Sequence, residues 1–403
     1  MTTSKVLRLL FLNWRDTRHP EGGGSEVYVE NVARSLAAAG HHVTVFCAMY
    51  EGALPRETVD GVHFVRAGTK LGVYGEAVRR VRRREFGRLD AIVDVQNGIP
   101  FMSRAVAGET PVVVLVHHVH REQWPVVYDR LRSRIGWWIE SVLAPRLYRD
   151  CTYVAVSHKT RDELDQLGVS AHRVRVIHNG IEQAPGLDVG RSPHPHIAVV
   201  GRLVPHKRVE HVLRAAAILR RDHPDLRISV VGDGWWSPRL RRVADTLAVS
   251  DMVDFLGFVD EKTKHRVYAS AWLLALPSLK EGWGIVVMEA ATHSVPTVAY
   301  RDAGGVAESI VDGRTGVLVD GGVEQFAQAL GHLLSQETTR NEMGQAAQQR
   351  AEYFTWAATT KEFADVLTEV AGGSTNGEVS VVPAPSGHVE HQAHGAPTDQ
   401  ASP

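Results

Sequence analysis

Short, nearly continuous apolar runs alternate with helical stretches along most of the chain, and this alternation constrains the fold more than any other feature. Strands that are apolar at almost every position are buried on both faces, as in parallel sheets covered by helices. One helical pattern runs from Ser25 to Ala39, with Ser25 as its N-cap and Gly40 as its stop. The alternation predicts an α/β fold of doubly wound, Rossmann-like sheets. The predicted strands are 6–13, 41–47, 62–67, 91–96, 112–117, 152–157, 174–179, 196–201, 228–234, 253–258, 273–278, 296–300 and 316–319.

A break in this pattern at residues 183–195 divides the chain into two halves. The segment is rich in Pro and Gly and has no hydrophobic periodicity, so it is predicted to link two domains. A length of 403 residues also suits two domains better than one. Ligands of such sheets bind beyond the carboxyl ends of the strands, so two facing sheets would form a central cleft.

Composition excludes several classes of protein. A formal net charge of -1 argues against a basic nucleic-acid binder, so no nucleic-acid partner is expected. Cys47 and Cys151 each lie in an apolar run, which predicts buried thiols in a reducing compartment. The apolar start of the chain is short and is interrupted by Arg8, which favours a first strand over a signal peptide. We therefore expect a cytoplasmic protein without a membrane-spanning helix.

The stretch from 276 to 290 combines a strand end, a loop with one acid and two glycines, and a helix start. Glycines let the backbone approach a ligand closely, and a helix N-terminus offers N–H groups and a positive dipole end to a phosphate. Glu281 lies in the loop, and Glu289 lies about one turn into the helix. Carboxylates repel phosphate but accept hydrogen bonds from sugar and ribose hydroxyls. The stretch therefore predicts a site for a phosphorylated sugar compound.

A second loop between a strand and a helix, residues 200–208, carries basic side chains. Gly201 permits a tight exit from the strand, and Arg202 and Lys207 are placed to reach the cleft. One arginine guanidinium can donate two hydrogen bonds to the oxygens of a phosphate, and lysine adds a point charge. The alternative is a solvated basic loop at a helix start.

A glycine-rich loop, EGGGSE at residues 21–26, follows the first strand. It does not match the GxGxxG pattern of dinucleotide-binding folds. Three glycines before a helix start still suit close approach to a phosphate or a sugar. A flexible surface loop is the alternative.

Three histidines, His117, His118 and His120, follow the strand at 112–117. No acidic partner is spaced for chelation, so no metal site is predicted there. A single histidine at the carboxyl end of a strand suits substrate contact or proton handling. Both His117 and His118 are candidates for that role.

At these residues the chain resembles the family-4 retaining glycosyltransferases of the two-domain GT-B fold. The family's pair of acids, separated by seven residues, is matched by Glu281 and Glu289. The resemblance covers roughly residues 5–370. The further matches, in chain order, are Gly23, Gly24 and Glu26, then Val156 and Ser157, then Asn179 to Ile181, then Gly201, Arg202 and Leu203 with Lys207.

The resemblance implies a role for each matched residue. Glu281 would contact hydroxyls of the donor sugar, Glu289 the ribose, and Arg202 and Lys207 the diphosphate. His117 matches the active-site histidine of the family, although the neighbouring His118 leaves that assignment open. Backbone groups would complete the implied donor-binding set. They lie near Val259 for the base and in Gly282, Trp283, Gly284 and Ile285 for the sugar and phosphate, while Gly23 and Gly24 would approach the donor phosphates from the other domain.

The resemblance also implies the domain boundaries and the reaction. Residues 1–187 would form an acceptor-binding domain and residues 188–353 the nucleotide-sugar-binding domain. A last helix, 354–371, would cross back to the first domain, and the tail 372–403 is predicted to be disordered because it is poor in large apolar residues. A hexose would be transferred with retention from a UDP- or GDP-sugar, without a metal ion or other cofactor.

The acceptor, a glycan, a lipid-linked or a small molecule, is expected in the first domain, against His118, His120 and Arg121. Two stretches of that domain would suit an anionic membrane surface: the basic helix Arg79–Arg88 and the aromatic helical stretch Arg132–Arg149. The alternative is an exposed arginine face and an ordinary buried helix.

Four other functions remain as alternatives. A sugar-nucleotide epimerase of the same fold would turn over donor without acceptor, and a phosphorylase would need pyridoxal phosphate and a longer chain. A non-catalytic nucleotide-sugar-binding protein would bind without turnover. A dinucleotide oxidoreductase is disfavoured by the absence of GxGxxG.

Overall fold

The fold is given by a computed structural model that describes residues 5–372. Two α/β domains, each built on one sheet, follow one another along the chain. The tail predicted to be disordered, 372–403, lies outside the described residues from position 373 onward. The thirteen predicted strands are all present, and the doubly wound α/β prediction is confirmed.

The first domain contains an eight-stranded sheet in the order β3-β4-β2-β1-β5-β6-β7-β8. All neighbouring pairs are parallel except β3 with β4. Buried apolar side chains form a core on each face of this sheet. The strands are β1 Arg8–Leu12, β2 His42–Cys47, β3 Arg56–Val59, β4 Val62–Arg66, β5 Ala91–Gln96, β6 Val112–Val116, β7 Thr152–Ala155 and β8 Val174–Val176. The helices are α1 Gly24–Ala38, α2 Gly72–Arg82, α3 Trp124–Val127, α4 Arg130–Trp138, α5 Ala144–Leu147 and α6 His158–Gln166, and a π-helical turn, Ile139–Leu143, joins α4 to α5.

The second domain contains a six-stranded, all-parallel sheet in the order β11-β10-β9-β12-β13-β14. Its strands are apolar throughout or nearly so, and helices cover both faces. The strands are β9 His196–Val200, β10 Arg227–Val231, β11 Val253–Gly257, β12 Leu273–Leu276, β13 Thr297–Tyr300 and β14 Gly316–Val319. The helices are α7 Val209–Leu219, α8 Ser237–Thr246, α9 Glu261–Ser270, α10 Ile285–Thr292, α11 Val306–Ser309, α12 Val323–Ser335 and α13 Glu337–Ala351, and α14 Trp356–Ala371 follows them in the chain.

Three details of the first domain differ from the sequence prediction. Ser25 is not the N-cap of α1, because Gly23 takes that position and the Glu26 carboxylate accepts the Gly23 N–H at 2.7 Å. Strand β3 was not predicted, because its residues are polar and lie at the exposed edge of the sheet. The predicted basic helix over Arg79–Arg88 ends at Arg82.

Helix α14 leaves the second domain and packs against the first. Phe363 stacks near Phe11 of β1, and its ring lies 6.2 Å from the ring of Tyr28 in α1. The chain enters α14 beside the end of the first domain, where Ile181 N donates to Phe354 O at 2.9 Å. The first domain is therefore completed by the last described helix.

Within residues 5–372, the helices are all too short or too polar to span a bilayer. Cys47 and Cys151 are both buried free thiols, as predicted.

Candidate active site

The loop between β12 and α10 places Glu281 beside a lysine from the neighbouring loop. Glu281 Oε1 accepts from Lys207 Nζ at 2.5 Å and from Ser278 Oγ at 2.6 Å. Glu281 N donates to Ala303 O at 2.8 Å, which fixes the loop against the turn after β13. Gly284 caps α10 with a φ of +84°, a conformation that favours glycine. The first N–H groups of α10 have no partner within the helix and can receive an anion.

The loop after β9 contributes Arg202 to the same cleft, and there it meets the first domain. Arg202 Nη1 donates to Glu21 O at 3.3 Å. A Cβ at Gly23 would lie 3.6 Å from Arg202 Nε, and one at Gly24 would lie 3.3 Å from the Ile285 side chain. The glycine-rich loop therefore faces both the basic loop and the start of α10. A cavity between the two second-domain loops is lined by Gly201, Arg202, Lys207 and Ser278, among other residues.

Glu289 lies on α10 and is held by two partners that sequence reasoning missed. Its Oε1 accepts from Lys264 Nζ at 2.9 Å, and its Oε2 accepts from the Tyr268 hydroxyl at 2.8 Å. Both partners lie on α9, more than twenty residues away in sequence, so no local motif could have revealed them. Each carboxylate oxygen retains a lone pair for a hydroxyl donor.

Trp283 and Val259 differ in how they meet the cleft. The Trp283 side chain is buried and stacks on His178 of the first domain, with ring centroids 4.2 Å apart. It also contacts Phe354 before α14. The side chain therefore joins the two domains, and only its backbone remains for the predicted donor contact. Val259 follows β11 and is partly buried against the core of the second domain.

His117 lies directly beyond β6, and its backbone touches the donor loop. Its carbonyl accepts from Thr160 Oγ1 at 3.2 Å, and a Cβ on Gly282 would lie only 2.2 Å from the same oxygen. Its ring packs edge-on against Tyr28, and Nε2 is buried with no hydrogen-bond partner among residues 5–372. Burial lowers the pKa of His117 to about 3, so the ring is neutral near pH 7.

The other candidate residues of this segment, His118, His120 and Arg121, follow His117 and are held by neighbouring side chains. The His118 and His120 rings are 4.1 Å apart, and burial lowers the pKa of His118 well below its ordinary value. His120 Nδ1 lies 3.1 Å from Glu140 Oε1. The Arg121 guanidinium lies over Trp137, 5.0 Å from the ring centroid. The assignment between His117 and His118 stays a prediction, since both rings are held near the strand end.

We expect His117 to make folding stability depend on pH below about 6.5. The unfolded chain takes up a proton on this residue before the folded chain does, so stability falls as the pH drops. Between pH 7 and pH 5 the loss through His117 is about 2 kcal/mol. Urea unfolding at both pH values should show a smaller loss for His117→Gln, whereas His172→Gln, at an exposed histidine, should behave like the parent chain. An equal loss in His117→Gln would contradict the buried, neutral ring.

Comparison with known proteins agrees with this architecture. The family described as glycosyltransferase family 4 matches residues 22–184, and the family described as glycosyl transferases group 1 matches residues 190–350. Sucrose-phosphate synthase from Thermosynechococcus elongatus has a similar fold, with a TM-score of 0.78 over 91% of this chain and 100% of its own, at 19% identity.

Two curated relatives cover most of the chain. The D-inositol 3-phosphate glycosyltransferase of Corynebacterium diphtheriae is 37% identical over 412 residues, which span 87% of this chain and 91% of the relative. The GDP-mannose-dependent alpha-(1-6)-phosphatidylinositol monomannoside mannosyltransferase of Mycolicibacterium smegmatis is 29% identical over 384 residues, or 87% and 96% of the two chains. Because the two matched regions span most of the chain, one relative is 37% identical over 91% of its length, and the fold is shared with a solved structure, this chain belongs to the family-4 glycosyltransferases and has their GT-B fold.

Proposed function

We propose that the chain transfers a mannosyl- or glucosyl-type hexose, with retention, from a UDP- or GDP-sugar. The observation that carries the proposal is the contact of Lys207 with Glu281, beside Arg202 and the free start of α10. Cations and helix N–H groups suit a diphosphate, and the carboxylate suits sugar hydroxyls. The second carboxylate, Glu289, would take the ribose.

The proposed reaction needs no metal ion. Departure of the nucleoside diphosphate leaves negative charge on its phosphate, and Arg202, Lys207 and the α10 N-terminus would stabilise that charge. The leaving phosphate would itself accept the proton of the acceptor hydroxyl, on the same face of the sugar. This front-face route requires no protein nucleophile, and isolation of a sugar–carboxylate adduct of the enzyme would contradict it.

The acceptor would lie against His118, His120 and Arg121 in the first domain. The two curated relatives are named for acceptors that share an inositol phosphate unit. A polyol phosphate, free or lipid-linked, is therefore the acceptor class that we propose, and a glycan is the alternative. Imidazole and guanidinium groups suit both its hydroxyls and its phosphate.

A lipid-linked acceptor would place the enzyme at the inner face of a membrane. Arg79 and Arg80 of α2 are already paired with Glu76 and Glu85, which weakens their attraction for anionic lipid. Exposed apolar side chains on α4, at Leu131, Ile135 and Trp138, support contact instead. Sedimentation with anionic liposomes at low salt should pull down the protein, and a protein that stays in the supernatant would contradict membrane contact.

A thermal-shift panel of UDP-, GDP-, ADP- and TDP-sugars tests the donor site. A ligand that binds only the folded chain stabilises it by mass action, by about 2.7 kcal/mol at one hundred times its Kd. We expect one UDP- or GDP-sugar to raise the melting temperature and the other nucleotides to have little effect. No shift with any of them would overturn the donor-site assignment, and EDTA should leave the shift unchanged.

Product analysis then separates the proposal from its alternatives. A transferase consumes the bound donor in the presence of inositol phosphate or a glycan acceptor and yields nucleoside diphosphate. An epimerase would change the donor sugar without acceptor, and a binding protein would give a thermal shift without any turnover.

A further inference from the structure

Three side chains that could ligate a metal ion meet where the two domains touch, next to Trp283 of the donor loop. His158 begins α6, His178 follows β8, and Glu308 lies in α11. One ligand atom from each lies within 4.8 Å of the others. Two of these groups belong to the first domain and the third to the second, so the cluster exists only when the domains are together.

The His178 ring is held in the orientation that metal-bound histidines adopt. Its Nδ1 lies 3.0 Å from Val156 O, and since a carbonyl only accepts, Nδ1 carries the proton. The lone pair is therefore on Nε2. The ring is also stacked on Trp283, so it has little freedom to turn. In metal-binding histidines, the ring nitrogen that does not bind the metal commonly donates its proton to a backbone carbonyl, as Nδ1 does here.

The Glu308 carboxylate of the second domain is held by two hydrogen bonds from the first domain. Its two oxygens accept from His158 N at 2.8 Å and from Lys159 N at 2.6 Å, at the start of α6. The positive end of the helix favours the ionised form. Arg350 donates to the main-chain carbonyls of Glu308 and Ser309 rather than to the carboxylate. Each carboxylate oxygen thus keeps a lone pair for an ion.

From these contacts we propose that His158, His178 and Glu308 bind one divalent first-row transition ion of the zinc type. Two imidazoles and one carboxylate suit zinc, cobalt or nickel better than magnesium or calcium. Within residues 5–372, no side chain donates a hydrogen bond to any of the three groups, so each of them keeps a lone pair for an ion. Zinc–ligand bonds are about 2.0–2.2 Å long, so the ligand atoms must approach one another by roughly 1 Å. The His158 side chain can supply most of this movement, because it makes no hydrogen bond among those residues.

The ion would connect the two domains, since its ligands come from both. Binding would therefore favour the closed arrangement and raise the thermal stability of the protein. This effect is independent of the proposed sugar transfer, in which no metal takes part.

Equilibrium dialysis with zinc on the full-length chain tests the site. His158→Ala removes one ligand without removing a hydrogen bond of the fold. His172→Ala is the matched control, because His172 is an exposed histidine of the same domain, paired with Ser170. The tail histidines at 388, 391 and 394 are present in every variant, so they add the same background to each.

We expect the parent chain and His172→Ala to bind one more tight equivalent of zinc than His158→Ala. Glu308→Gln should weaken the same site at least tenfold, and zinc should raise the melting temperature only where the site is intact. Equal zinc stoichiometry in the parent chain and in His158→Ala would overturn the proposal, whatever the outcome of the donor panel.

Discussion

Replacing Lys207 by alanine is expected to lower kcat/KM by roughly 10²–10³-fold, a loss of about 3–4 kcal/mol in transition-state stabilisation. The Lys207 ammonium bonds to Glu281 and is placed to meet the charge that develops on the departing phosphate. Its removal also leaves the Glu281 carboxylate without its positive partner, which would repel the diphosphate. Steady-state kinetics with the donor found in the thermal-shift panel measure the change.

The matched control for this prediction is Lys262→Ala, on the exposed side of α9. It removes a lysine from the same domain and should leave kcat/KM within about twofold, since surface charges act weakly at a distance. A similar loss in both variants would indicate a general charge effect, and a fully active Lys207→Ala would remove Lys207 from the reaction.

Gly282→Ala is expected to lower kcat/KM for transfer by at least about 100-fold while leaving nucleotide binding largely intact. The added Cβ would lie 2.2 Å from His117 O, and a backbone carbonyl cannot rotate away as a side chain can. The donor loop must therefore withdraw from the first domain, which separates the two halves of the site. A misplacement of about 1 Å costs on the order of 100-fold in rate, so we expect a loss of at least that size in kcat/KM.

Two measurements distinguish this steric effect from misfolding. The affinity for the nucleoside diphosphate should change little, because Arg202 and Lys207 belong to the second domain alone. Gly75→Ala, in α2, is the matched control, since a Cβ there meets no atom within 4 Å. Loss of nucleotide binding in Gly282→Ala would mean that the second domain itself is damaged, and normal turnover would mean that the contact with His117 is not needed.

The fold could be predicted from sequence because its strands are buried on both faces. Most of the predicted runs, such as 112–117, are largely apolar and need no partner strand to be recognised. Strand β3 has the sequence RETV and owes its structure to pairing with β4, so its own residues gave no signal. The cap of α1 was misplaced for a related reason, because Glu26 supplies the capping group from inside the helix.

The candidate site was predictable where its residues follow strand ends closely. Arg202, Lys207 and Glu281 come from two neighbouring strands, β9 and β12, and the parallel sheet brings their ends together. Side chains that act between domains could not be found in this way. The predicted donor contact at Trp283 concerns its backbone, and no pattern in the sequence indicates that its side chain packs on His178 from a different domain. The contact of Glu308 with the start of α6, 150 residues earlier in the chain, likewise could not be predicted from the neighbouring sequence.

The paired connections between the domains determine how the cleft can open. The chain crosses once after β8 and returns before α14, and the two segments lie side by side, joined by the hydrogen bond from Ile181 to Phe354. A Cβ on Gly180 would lie 2.4 Å from Trp356 N, so the two segments cannot slide past each other without distortion. Two adjacent connecting segments permit the domains to rotate about a common axis and resist translation and twisting. Any opening of the cleft would therefore part the glycine-rich loop from Arg202 by rotation about this axis.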